Sequence, residues 1–142
     1  MEQPQYNLLH RTKVEKEFAR LYEDIGLGLT TWSPLASGIL SGKYVDGIPE
    51  GSRGALEGYD FVKDSIADQE VTVKVRQLVD VATELDVTPA QLALAWTASN
   101  PHVSTVILGA SSVEQVQENL KALDVMDLVT PQVRDRLESI FA

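Results

Sequence analysis

Two stretches of this chain set small, polar and cationic residues where an anion can be held. The first is Thr31-Trp32-Ser33-Pro34-Leu35-Ala36-Ser37-Gly38, followed by Ser41-Gly42-Lys43-Tyr44. Ser33, Ala36 and Ser37 are small enough for a ligand to approach the backbone closely, and Lys43 adds one positive charge. Arg53, beyond a glycine-containing segment, offers a second cation whose planar fork can take two phosphate oxygens. The second stretch is Gly109-Ala110-Ser111-Ser112, running into Val113-Glu114-Gln115 and on to Glu118-Asn119. A chain that leaves a strand at Gly109 and enters a helix near Ser112 presents free N–H groups and a positive dipole end. Gln115, Glu118 and Asn119 fall on the first two turns, where their amides and carboxylate suit the donors and acceptors of an adenine or ribose edge. Each stretch also has a plainer reading: a capped helix with a polar face, two solvated cations, and a tryptophan that belongs to the core.

The elements around these residues alternate in type. Strands are expected near residues 5–9, 28–32 and 103–108, the last apolar enough to be covered on both faces. A helix is expected through Val14, Phe18, Leu21, Tyr22 and Ile25, stopped by Gly26. A longer amphipathic helix is expected from about Ser65 to Asp86. Thr88-Pro89 and Thr130-Pro131 read as an N-cap followed by proline at the first helical position, opening helices over 90–99 and up to Ile140. Ser111 or Ser112, with Glu114 or Gln115 three residues on, forms a capping-box pattern for a helix whose buried stripe is Val113, Val116, Leu120 and Leu123. The segment from Tyr44 to Tyr59 is a long glycine-rich loop, and Glu50, Glu57, Asp60, Asp64 and Asp68 read as a solvated face. Strand-helix alternation implies an α/β fold with a parallel sheet. Three parallel strands cannot close a barrel, so the chain reads as part of one, and opening inside a strand at residue 5 gives the same expectation of a fragment.

Composition narrows the classes. The chain has 142 residues, 44% apolar and 23% charged, with a formal charge of −9. That charge argues against nucleic acid as a partner, so an anion site must be local. There are no cysteines and two histidines, His10 and His102, far apart in sequence. A thiolate or histidine-rich metal site is therefore not expected. No apolar run reaches membrane-spanning length, and a cytoplasmic protein that is not embedded in a membrane is the expectation. His102 precedes the last strand at the end away from the candidate site and reads as structural.

Together, Gln3-x-x-Tyr6-Asn7, Trp32-Ser-Pro-Leu-Ala-Ser-Gly38, Ser41-Gly-Lys-Tyr44, Ser52-Arg53 and Gly109-Ala-Ser-Ser-x-Glu-Gln-x-x-Glu-Asn119 resemble the C-terminal half of an aldo-keto reductase. The similarity is greatest to the branch that contains the β subunits of voltage-gated potassium channels, and it covers essentially all of residues 1–142. The resemblance implies a (β/α)8 TIM barrel of which this chain holds approximately strands six to eight, with NADPH/NADP as cofactor. It implies that Gln3 contacts the nicotinamide carboxamide, that Tyr6 lies near the nicotinamide ring, and that Trp32, Ser33, Pro34, Leu35, Ala36 and Ser37 run along the diphosphate with Lys43 nearby. Arg53 approaches the adenosine side, and Gly109, Ser111, Gln115, Glu118 and Asn119 hold the adenosine end.

The family's proton-donating tyrosine and its supporting aspartate, lysine and histidine or asparagine belong to the N-terminal half. Their motifs do not occur here, so no catalytic residue is assigned, and Tyr6, Tyr22, Tyr44 and Tyr59 do not match the donor. The resemblance thus implies the NADPH-binding half of an enzyme that reduces small-molecule aldehydes and ketones only with its other half. The alternatives are a nucleotide-sensing protein like the channel β subunits, with a channel or homo-oligomer partner, or an inert fragment. An isolated part-barrel is expected to self-associate.

Overall fold

A computed structural model describes residues 1–142. Its sheet is small. Strand β1 (Leu29–Thr31) pairs in parallel with β2 (Val103–Val106), and the other flank of β1 is bridged by Glu2 and Gln5, also in parallel. The backbone bonds follow: Thr30 N–H donates to the Glu2 carbonyl and Tyr6 N–H to that of Trp32. The first extended segment is therefore residues 2–6 and not 5–9. Buried Asn7 ends it, because its Oδ1 accepts from the N–H groups of both Leu9 and His10 and turns the chain. Two paired strands and one bridged segment make an open α/β sheet.

The centre of the molecule is α4 (Pro89–Ala98). Thr88 caps it through the Gln91 N–H, and the Gln91 side chain accepts from the Thr88 N–H in return. Every residue from Ala90 to Thr97 is buried, as a helix apolar on all sides requires. Against it pack α3 (Gln69–Glu84) and α5 (Val113–Leu120), while α2 (Asp60–Ala67) and α6 (Pro131–Ile140) pack on α3, and α1 (Ala19–Ile25) on the turn that precedes it. The single helix expected over 65–86 is two, because the Asp68 side chain accepts from the Glu70 N–H and starts a new helix. The helix expected over 14–25 is likewise a π-helical turn at Lys13–Glu17 followed by α1, which ends at left-handed Gly26 as anticipated.

Trp96, fully buried on α4, packs against Tyr6 with ring centroids 5.0 Å apart, and the guanidinium groups of Arg11 and Arg134 lie over its ring. Tyr6 donates to Glu15 and accepts from the Asn100 amide, while Arg11 pairs with Glu15 and Glu138. This network joins the first segment to α4 and α6. Burial pushes the Tyr6 phenol far above its ordinary range, so it stays protonated inside the core. Tyr6, which the resemblance places near a nicotinamide ring, is 1% exposed and packed in the core, so its ring has no open face for a ligand to stack on.

Two other expectations fail together. The stripe Val113, Val116, Leu120 and Leu123 is exposed, not buried, and the one buried residue of α5 is Asn119. Ser104 and Thr105 of β2 are exposed too, so this strand is not covered on both faces. The physical reason is shared: β2 has a neighbour only on its β1 side, and nothing in the chain lies beyond it. No helix is long and apolar enough to cross a membrane.

Candidate functional site

Parallel pairing decides where the loops emerge. Thr31 sits opposite Val106, and the Ile107 N–H donates to the Thr31 carbonyl at 2.8 Å. The chain therefore leaves β1 and β2 side by side, and the loops beginning at Trp32 and Ile107 rise from the same sheet edge. On the other flank Gln5 bridges Trp32, which brings the turn over residues 7–12 to that edge as well. In α/β sheets this carboxyl end is where ligands are held.

The loop after β1 has an unusual backbone. Ser33, Ala36 and Ser37 all adopt positive φ, at 54°, 47° and 58°, with Gly38 at 94° and Gly42 at 78°. Left-handed geometry costs about 1–2 kcal/mol for a residue with a Cβ, and three such residues in one loop are a recognised mark of a ligand-holding segment. The surroundings hold the loop in place. Asn7, fully buried, donates from Nδ2 to the Ser33 carbonyl at 2.8 Å. Ser41 Oγ donates to the Gly38 carbonyl at 2.7 Å, and buried Ile39 and Leu40 anchor the far end. Asn7 was not singled out for this positioning role; its only sequence signal is a short amide directly after a core tyrosine.

Lys43 is exposed, lies 5.1 Å from the Tyr44 ring centroid and has no carboxylate partner. A Cβ on Gly38 would meet its Cε and Nζ at 3.0 Å, so the lysine lies directly over the loop. Arg53 is also exposed and without a carboxylate partner, its guanidinium 5.8 Å from the Tyr59 ring. The buried Tyr44 hydroxyl accepts from the Gly54 N–H at 3.1 Å. That bond ties the neighbours of Lys43 and Arg53 to each other and turns the expected open loop into a fixed one. Trp32 is 44% exposed; the tryptophan of the core is Trp96. Pro34 and Ala36 are buried under the loop, with Ser33, Leu35 and Ser37 partly exposed.

After β2, Gly109 and Ser111 are exposed. Ser112 Oγ accepts from the Gln115 N–H, and Gln115 Oε1 accepts from both the N–H and the hydroxyl of Ser111. The reciprocal cap anticipated here thus forms with its return arm one residue earlier. Hydrogen bonds at this helix start also hold the Glu114 carboxyl below its ordinary value. Glu118 is partly exposed, while Asn119 faces inward. Gln115 and Ser111 are brought into contact; Asn119 lies on a different side of α5 from the exposed cap.

An open cavity of about 470 Å³ lies beside Trp32, lined also by Gln3, Gln5, His10, Arg11 and Lys13. It brings Gln3 and Trp32 together and includes none of the residues from Gly109 to Asn119. Arg11 is already paired with Glu15 and Glu138, whereas Lys13 has no carboxylate partner and lies 5.4 Å from the Phe18 ring centroid. His102 stacks on Tyr22 at 3.8 Å, at the opposite end of the sheet.

The aldo/keto reductase family model matches residues 1–140. The chain belongs to that family. Among curated relatives it is similar to a protein of Oryza sativa subsp. japonica named as a probable voltage-gated potassium channel subunit beta, at 55% identity over 99% of this chain and 43% of the relative. The Arabidopsis thaliana protein of that name gives the same figures. A putative voltage-gated potassium channel subunit beta of Schizosaccharomyces pombe is 47% identical over 98% of this chain and 41% of the relative. This aldo/keto reductase chain therefore spans about 43% of the curated relatives it matches.

Proposed function

We propose that this chain is the NADPH-binding part of an aldo/keto reductase barrel, contributing approximately its last three strands. One observation carries the reading: two loops leave adjacent parallel strands at one sheet edge, and the first, left-handed at three residues with a side chain, is attended by Lys43, with Arg53 tied to its neighbour Tyr44 through Gly54, two cations that pair with no carboxylate. In a chain of charge −9, two such cations suit a phosphorylated ligand. Trp32 to Ser37 and Lys43 would hold the diphosphate, Arg53 the adenosine side with its 2′-phosphate, and Gly109, Ser111, Gln115, Glu118 and Asn119 the adenosine end. Gln3, beside Trp32 in the open cavity, would meet the carboxamide. When bound, the cofactor supplies hydride to an aldehyde or ketone. This chain's own residues bind and orient it, and the acid that polarises the carbonyl would come from the part of the barrel this chain does not contain.

The exposed Trp32 gives the test. Titration of the 142-residue chain with NADPH, followed by tryptophan fluorescence, should give a saturable change that NADH matches only at about tenfold higher concentration, the scale of one charge-assisted contact. Lys43→Gln and Arg53→Gln should each weaken NADPH about tenfold by the same reckoning, and aldehyde turnover should be absent. A folded sample without response would overturn the reading.

The names of the 47–55% identical relatives support a second role, as a nucleotide-sensing partner of a channel. Retention by an immobilised potassium-channel cytoplasmic domain would favour it, and failure to bind would remove it.

A further inference from the structure

Both cations of the candidate site sit on tyrosine rings and not on carboxylates. Lys43 Nζ lies 5.1 Å from the Tyr44 ring centroid, and the Arg53 guanidinium lies 5.8 Å from that of Tyr59. A ring holds a cation by its quadrupole and leaves the charge free for an incoming anion. In Tyr44 the ring and the hydroxyl serve different cations. The ring, 5% exposed, lies beneath Lys43. The hydroxyl accepts from the buried Gly54 N–H at 3.1 Å, inside the short 3-10 turn Arg53–Ala55.

Across residues 48–58 every other hydrogen bond closes within the segment: Ser52 to Pro49, Ala55 to Ser52, and Leu56 to Arg53. The Tyr44 hydroxyl is thus the only hydrogen-bonding group outside the segment that holds the turn carrying Arg53. Gly54 also fits closely against this tyrosine. A Cβ there would meet Tyr44 Cε1 at 3.1 Å and Ile66 Cδ1 at 3.2 Å.

We propose that Tyr44 is a positioning residue for specificity. Through Gly54 it fixes Arg53 relative to Lys43, and that spacing favours a dinucleotide with a 2′-phosphate over one without. The role rests on NADPH being the ligand of this site. Lys43 lies over the loop that would hold the diphosphate, which NADPH and NADH share. Only the third phosphate distinguishes the two, and Arg53 is the cation left to meet it. Loss of the Tyr44 hydroxyl keeps the ring under Lys43 and frees the turn, so it acts on one ligand and not the other.

Tyr44→Phe in the 142-residue chain separates the two functions of the side chain. Followed by tryptophan fluorescence, NADPH should weaken about tenfold, the scale of one charge-assisted contact, while NADH stays within about twofold. Adding Arg53→Gln to Tyr44→Phe should weaken NADPH little further, because residues acting as one unit are not additive. A merely structural role would weaken both nucleotides together; that result would overturn the proposal, as would full additivity of the two substitutions. Hydrogen exchange of the unsubstituted chain tests the same link with no risk to the fold. NADPH should slow the Gly54 amide several-fold more than NADH does, and equal protection would overturn the role. A chain that binds neither nucleotide removes the NADPH reading and this role with it. NADPH binding with an unchanged preference in Tyr44→Phe removes this role alone.

Discussion

Gly42 shows how narrowly the loop over β1 is specified. Its φ is 78°, and a Cβ placed on it would lie 2.9 Å from Val79 Cγ2 on α3. Gly42→Ala therefore combines a left-handed penalty with a clash and should cost about 1–3 kcal/mol in chemical denaturation. The Lys43 loop shifts with it, so nucleotide affinity should fall in the same variant. Gly109→Ala is the contrasting case: its φ is ordinary and nothing lies within 4 Å. It should leave stability unchanged, so that any loss of nucleotide response reports on the site alone. Lys43 itself has no structural partner to lose, which is why a neutral substitution there reads binding and not folding.

Among the elements, α3 and α6 are joined by an ion pair of two hydrogen bonds between Arg136 and Glu84. Bonding to the guanidinium holds the Glu84 carboxyl below its ordinary value of 4.5. A depressed folded value means that the contribution is present above about pH 4.5 and is lost as pH falls through the lower folded value. Melting temperatures of the parent and Glu84→Gln should therefore differ above about pH 4.5 and converge as pH falls through the lower folded value. A difference that persists in acid would assign the effect to something other than the carboxylate.

The helices bounded by their own chemistry were legible in the sequence: Thr88-Pro89 and Thr130-Pro131 begin α4 and α6 where the cap rule puts them, and Gly26 ends α1. The boundaries that were missed turn on single polar side chains. Asp68 splits one helix into two, and Asn7 bends the chain off the sheet two residues early. For the candidate site, the two loops at the sheet edge could be read from their residue types and spacing, but the tie between Tyr44 and Gly54 could not. It joins residues ten apart through a buried hydroxyl, and no local pattern announces it. The stripe on α5 failed for a different reason. Periodicity shows which residues share a face; it does not show whether anything is present to cover that face.

At the scale of the whole molecule, net charge opposes an anionic ligand, and only the local cations of the candidate site attract one. The chain carries −9, so attraction for a phosphorylated ligand is confined to those cations and is screened as salt is added. Nucleotide held by Lys43 and Arg53 loses attraction under the same change. Between ~0.01 and ~0.15 M salt, where the Debye length shrinks from about 30 to 8 Å, NADPH binding should weaken. Fluorescence titration at the two salt concentrations checks the sign, and binding that tightens with added salt would contradict the assignment of Lys43 and Arg53 to the ligand.

The pairing of β1 with β2 also governs how the chain reaches this state. Leu29 finds Val103 only after the whole stretch carrying α2, α3 and α4 has been laid down between them. Closing so long a loop is entropically slow unless the intervening chain has already contracted. The central helix α4, closed at its start by its own reciprocal cap, can condense with α3 before any strand pairs. On this argument the sheet edge that carries both candidate loops should be the last part to assemble, which pulse-labelled hydrogen exchange at the Thr30 and Ile107 amides would check.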